Sequence, residues 1–258
     1  MTTVSTVNQA ELEQQVKAMY RDVALNPKGE FHFEMGRTLA ERLGYAPADL
    51  DRIPAEAIES FAGVGHHFHL AALRGGEAVL DLGSGSGTDT FVAALAVGPR
   101  GKVVGLDMTD EQRAKAERLR DAAGFRNITY VKGYIESIPL EAGEFDAVIS
   151  NGVINLSADK PRVFRDIARV LKRGGRLALS DIVSESQLPQ GVAENATLWA
   201  ACIGGAMQQD EYRGAIERAG FEVRRVQDNR EYRFISANAQ GAARKFGVKS
   251  ISLLAFRA

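Results

Sequence analysis

A doubly wound, mainly parallel α/β sheet is the fold class this sequence predicts, and three observations predict it. Short apolar runs alternate with helix-length segments through the middle of the chain, the pattern of a parallel sheet covered on both faces. A glycine-rich turn, Gly83-Ser84-Gly85-Ser86-Gly87, follows the first of those runs and opens the first helix between strands. The 258 residues are enough for one large α/β domain with a small appendage.

The elements follow in order. Leu12, Val16, Met19 and Val23 recur at spacings of three and four and predict an amphipathic helix over 11–25. Asn26-Pro27-Lys28-Gly29 ends it. A second helix is predicted over 33–43, stopped by Gly44, and a third over 51–61 with Pro54 near its start. Gly63-Val64-Gly65 then opens a loop into His66-His67-Phe68-His69. Strands are predicted over 78–81, 102–107, 128–132, 145–150 and 176–181, with helices over 88–96, 110–123 and 160–171. The tail reads as helix 212–219, strand 222–228, helix 237–246 and strand 250–256, with a strand near the C-terminus expected to insert antiparallel at a sheet edge. Residues 1–72 are expected to form a helical extension or lid, and residues 73–258 the ligand-binding domain.

Composition narrows the function. Hydrophobic residues make up 45% and charged residues 25%, ordinary for a globular protein. A net charge of -1 offers no basic field for a phosphate backbone, which argues against a nucleic-acid partner. No apolar run approaches the ~20 residues that span a bilayer, and the first ten residues lack the basic and apolar regions of a signal peptide. A cytoplasmic protein with no membrane partner is the expectation. Cys202 is the one cysteine, so an internal disulfide or a multi-cysteine zinc site is excluded.

The glycine turn carries the chemistry. Its spacing is G-x-G-x-G, not the G-x-G-x-x-G of dinucleotide binding. Asp81 ends the strand just before the turn, placed to meet a cationic amino group and to repel a pyrophosphate. Asp107 ends the next strand, twenty residues beyond Gly87, where a carboxylate can accept hydrogen bonds from a ribose diol. Capping or loop-stabilising roles are the competing reading for both carboxylates. His66, His67 and His69 lie within four residues. Adjacent histidines rarely all face one ion, so no metal site is expected. A general base, or plain packing, are the two readings of this cluster.

These segments resemble class I S-adenosylmethionine-dependent methyltransferases over about 77–219. The resemblance lies in Val79-Leu80-Asp81-Leu82-Gly83-Ser84-Gly85-Ser86-Gly87, Gly105-Leu106-Asp107-Met108-Thr109, Phe145-Asp146-Ala147-Val148-Ile149-Ser150-Asn151 and Val170-Leu171-Lys172-Arg173-Gly174-Gly175-Arg176-Leu177. It implies a Rossmann-like seven-stranded sheet with a helical N-terminal cap, and S-adenosylmethionine as cofactor. It implies cofactor contacts from Asp81, Gly83, Ser84, Gly85, Gly87, Thr88, Asp107 and Met108. Further contacts come from Gly133, Ile135 and Glu136 at the adenine, from Asn151 and Val153 beside the methyl group, and from Tyr20 of the first helix.

Within that class the chain is similar to the arsenite methyltransferases. Ser150-Asn151-Gly152-Val153-Ile154-Asn155-Leu156-Ser157 resembles their S-N-C-V-I-N-L-S segment, Trp199-Ala200-Ala201-Cys202-Ile203-Gly204-Gly205-Ala206 their W-x-x-C-x-G-G-A segment, and Gly63-Val64-Gly65 their G-C-G segment. The resemblance implies three thiolates around trivalent arsenic. Only Cys202 is kept; Gly152 and Val64 stand at the other two positions. Methyl transfer from a sulfonium is a direct displacement that needs alignment and exclusion of water. The expected activity is therefore methylation of a small-molecule acceptor by a monomer or homodimer. His66, His67 and Cys202 are the candidate substrate-side residues, and the N-terminal helices with 184–207 form the expected lid. The alternatives are a metalloid methyltransferase using Cys202 with a thiol-conjugated substrate, and a non-catalytic S-adenosylmethionine-binding protein.

Overall fold

A computed structural model describes residues 9–193 and 203–258. Among them, five helices precede the first strand: α1 (Gln9–Leu25), α2 (Arg37–Leu43), α3 (Pro47–Leu50), α4 (Ala55–Glu59) and α5 (Phe68–Ala71). Three departures from expectation have local causes. The second helix starts at Arg37, not at 33, because Gly36 takes φ 86° and ψ -166°, and its N–H bonds to the Phe61 carbonyl. The third helix shrinks to α4 because Pro54 disfavours helix at the residue before it. Pro47 instead starts the short α3.

The alternating region folds as its pattern predicts. The strands β1 (Ala78–Leu82), β2 (Lys102–Asp107), β3 (Ile128–Lys132), β4 (Phe145–Asn151) and β5 (Leu171–Ser184) are parallel, in the order β3-β2-β1-β4-β5. Helices α6 (Thr88–Val97), α7 (Asp110–Ala123) and α8 (Lys160–Val170) connect them. Beyond β5 lie α9 (Gln190–Ala193), β6 (Met207–Gln208), α10 (Gln209–Arg218), β7 (Phe221–Asp228), α11 (Ala237–Phe246) and β8 (Lys249–Arg257). β8 runs antiparallel between β5 and β7, completing a seven-strand path, and the two-residue β6 pairs with β5 as an eighth strand. The edge is therefore β7 and not the last strand. Ile251, Leu253 and Ala255 of β8 are buried in the core, whereas β7 carries Glu222, Arg224 and Arg225, as befits an edge.

Side-chain alternation splits the core into two layers. Val79, Val103, Ala147, Ile149 and Ala178 face α6, α7 and the N-terminal helices. Leu80, Leu82, Val104, Leu106, Val148, Leu177 and Leu179 face α8 and α10. The sequence runs outward in both directions from β1 and β4, which puts the switch point of the sheet between them. No helix among the described residues is long and apolar enough to cross a membrane.

Candidate active site

A cavity of about 490 Å³ opens beyond the carboxyl ends of β1 to β4, at that switch point. Tyr20, Asp81, Gly83, Ser84, Gly85, Thr88, Asp107, Met108, Gly133, Ile135, Glu136, Asn151 and Val153 all line it. Gly87, expected among them, does not. It starts α6 at φ 98°, and a Cβ there would lie 2.3 Å from the Tyr130 hydroxyl, so its task is close packing beneath the loop.

The glycine turn is bent over β2. The N–H groups of Gly83 and Ser84 both donate to the Leu106 carbonyl, at 2.8 and 3.0 Å. Gly83 has φ 68°, and a Cβ on it would come within 2.4 Å of Val153. The Asp107 carboxylate accepts from Gly85 N–H at 2.9 Å and from Thr109 N–H at 2.8 Å, and the Met108 N–H and the Thr109 side chain also bond to it. Burial raises its pKa and these bonds oppose the rise.

Two more carboxylates line the cavity. Asp81 is buried, and Thr90 Oγ1 donates to it at 2.6 Å. Burial raises its pKa well above the usual carboxylate range, and the neighbouring charge of Asp89 adds to the shift. Asp89 accepts from the Tyr45 hydroxyl at 2.6 Å and from Asn151 Nδ2 at 3.1 Å, and burial raises its pKa too. Ser84 Oγ is buried in the same lining with no hydrogen-bond partner.

Asn151 is spent on the protein. Its Oδ1 accepts from the N–H groups of Val64 and Gly65 at 2.8 and 3.3 Å, while Nδ2 donates to the Tyr45 hydroxyl and the Gly65 carbonyl, each at 3.0 Å. It lines the cavity as a clamp on segment 63–65. Glu136 accepts a short hydrogen bond from Ser157 Oγ. α1 roofs the cavity through Leu12, Val16 and Tyr20. Lys17 Nζ latches it by donating to Tyr134 Oη at 2.7 Å and to Glu13 at 2.6 Å, and Gln112 donates to the Tyr20 carbonyl at 2.8 Å.

Neither His66 nor His67 lines the cavity. His67 is fully buried and stacks on Phe68, and neither ring nitrogen has a hydrogen-bond partner. Burial pushes it down to about 3 and His66 to about 4. Both rings are thus neutral near pH 7. His66 stacks on His69, whose Nε2 lies 2.9 Å from Gln227 Nε2. Cys202, with Trp199, lies outside the described residues.

Val64 and Gly152 meet. A Cβ on Gly152 would sit 3.1 Å from Val64 Cγ1, and Gly152 has φ 69°. Val64 is buried with Ile182, Leu188 and Ile203. The resemblance also placed Tyr134 at the adenine, and it lines the cavity; Asp89, Leu12 and Val16 were not singled out as site residues. Asp89 had a usable signal, an acidic residue in the first turn after the glycines. The face that α1 turns to the cavity had none, because an amphipathic helix does not say what it covers.

A methyltransferase domain model matches residues 73–220, and this chain belongs to that family. Within it, the chain is similar to arsenite methyltransferases. It is 40% identical to that of Halobacterium salinarum over 184 residues, which are 71% of this chain and 47% of the relative. The human arsenite methyltransferase is 42% identical over 153 residues, covering 55% of this chain and 40% of the relative. The chain thus spans about half the length of the curated relatives it matches. Among solved structures it is similar to an arsenic(III) S-adenosylmethionine methyltransferase from Chlamydomonas reinhardtii. The identity is 30% and the TM-score 0.63, with 86% of this chain and 74% of that chain covered. A geranyl diphosphate methyltransferase, 16% identical at TM-score 0.66 over 96% of this chain and all of that one, shares the fold.

Proposed function

We propose that this chain transfers the methyl group of S-adenosylmethionine to a small-molecule acceptor. The observation that carries the reading is the convergence of the glycine turn, Asp81 and Asp107 on one cavity of about 490 Å³. The residues fit the cofactor. Asp107 presents its carboxylate to the cavity where a ribose diol would lie, and Asp81 lines the same cavity as a second buried carboxyl group. Gly133, Ile135 and Glu136 would flank the base, with Met108 and Tyr20, while Val153 and the Asn151 clamp stand at the methyl end.

When bound, the cofactor supplies an electrophilic methyl on a positively charged sulfur. The chain's own task is alignment and exclusion of water, which the α1 roof and segment 61–63 perform. Residues 1–72 act as the lid of the domain that follows.

The acceptor differs from a metalloid held by three thiolates. Val64 and Gly152 occupy two of the three positions implied by resemblance, and they close against each other as an apolar contact. Incubating the protein with S-adenosylmethionine and a panel of metabolite acceptors should yield S-adenosylhomocysteine with one of them. Arsenite with glutathione is the contrasting arm. Turnover of that pair, abolished by Cys202→Ser, would replace the small-metabolite reading with the metalloid one. Cofactor binding without turnover on any acceptor would leave a binding protein.

A further inference from the structure

We propose that Asp89 is a second carboxylate for the ammonium group at the amino-acid end of the cofactor, acting beside Asp81. The inference rests on the S-adenosylmethionine reading above.

Asp81 comes from β1 and Asp89 from the first turn of α6, and both line the same cavity. Their relative exposures are 2% and 6%, so water solvates neither well. Two carboxylates in that position repel each other and are costly to bury without a cation. Their protein partners are all neutral: Thr90 at Asp81, and Tyr45 and Asn151 at Asp89. These bonds leave lone pairs on both groups unused. Arg162 is the one Lys or Arg of the described lining, and it stands with Asp159 and Glu136.

His67 is the independent pointer. It is fully buried with no hydrogen-bond partner among the described residues, and its Nε2 lies 3.9 Å from Asp89 Oδ2, beyond hydrogen-bond reach. Its burial keeps the ring uncharged, so it backs Asp89 without neutralising it. Among the described residues the wall therefore holds two buried carboxyl groups and no cation within bonding distance. An ammonium offers one charge and three donors, which two carboxylates can share. The Tyr45 and Asn151 bonds fix the Asp89 side chain, which makes it a preset acceptor.

Titration calorimetry separates the possibilities. The ligands are S-adenosylhomocysteine and its deamino analogue, S-adenosyl-4-thiobutyrate, measured on the full chain and on Asp89→Asn. Removing the ammonium should cost the natural chain about 30-fold in affinity, the range of a buried charge-assisted hydrogen bond. In Asp89→Asn that penalty should fall to about threefold, with the deamino analogue bound within about twofold of its natural affinity. An unchanged penalty, or equal weakening of both ligands, overturns the role and makes Asp89 structural. If the natural chain binds both ligands equally, the ammonium role fails while the cofactor reading stands. If it binds neither, nor S-adenosylmethionine, the cofactor reading falls and takes this inference with it. Should Asp89→Asn not fold, Asp89→Ser gives the same comparison.

Discussion

Two walls face each other across the cavity, and they are built differently. The wall at the ends of β1 to β4 consists of strand termini: a turn hydrogen-bonded over Leu106, Asp107 locked by backbone N–H groups, and Asp81 held by Thr90. The opposing wall comes from helices and loops before the first strand. Leu12, Val16, Phe61, Ala62 and Gly63 offer mostly apolar surface, tied in place by Asn151 and by the Lys17 latch. Chemistry at a strand end follows from the local pattern, because the strand fixes where its last residue points. Chemistry on the cover follows from which surfaces meet, which local pattern does not encode.

Four measurements probe that contrast. The largest effect is expected on the strand-end wall. Gly83→Ala places a Cβ at φ 68° within 2.4 Å of Val153 and should cost about 3 kcal/mol of unfolding free energy in a denaturant titration. An unchanged midpoint would show that the turn is not rigid. Asp107→Ala comes next and should weaken S-adenosylmethionine about 100-fold by calorimetry, since it removes an anchored charged acceptor.

The third concerns pH. His67 is held down to about 3 and His66 to about 4 from an ordinary 6.5, both chiefly by burial. Below pH 6.5 the unfolded chain takes up protons that the folded rings refuse. Stability that is fully present above 6.5 therefore declines as pH falls, by up to about 1.4 kcal/mol per pH unit for each ring. Asp181, raised to about 6 by burial, contributes with the opposite sign between 3.8 and 6. The difference between the natural chain and His67→Gln isolates the His67 part; parallel stability curves would refute it. The smallest effect belongs to the roof. Lys17→Ala breaks a half-exposed latch and should cost under about 1 kcal/mol, yet speed amide exchange along α1.

The same contrast explains what could be read beforehand. β2, β3, α7 and α11 fall on their predicted bounds because apolar period and capping residues are local signals. Which C-terminal strand would lie at the edge was not a local signal: the more polar β7 takes it, with β8 buried between β7 and β5. The residues foreseen for the cofactor, Gly87 apart, reach the cavity because they sit at strand ends, on the turn, or, for Tyr20, on α1. His66 and His67 lie off the cavity for a tertiary reason: their rings pack on Tyr45 and Phe68, where burial lowers their basicity. Asp89 was missed because its partners, Tyr45 and Asn151, lie 44 and 62 residues away.

Val64 is held by its main chain. Its N–H donates to Asn151 Oδ1 at 2.8 Å, and its carbonyl accepts from Ser250 Oγ at 2.6 Å. Nothing in that grip depends on which side chain position 64 carries. The loop can therefore keep its path over the cavity through many side-chain changes at position 64, so evolution can rework that position without disturbing the fold that frames the site.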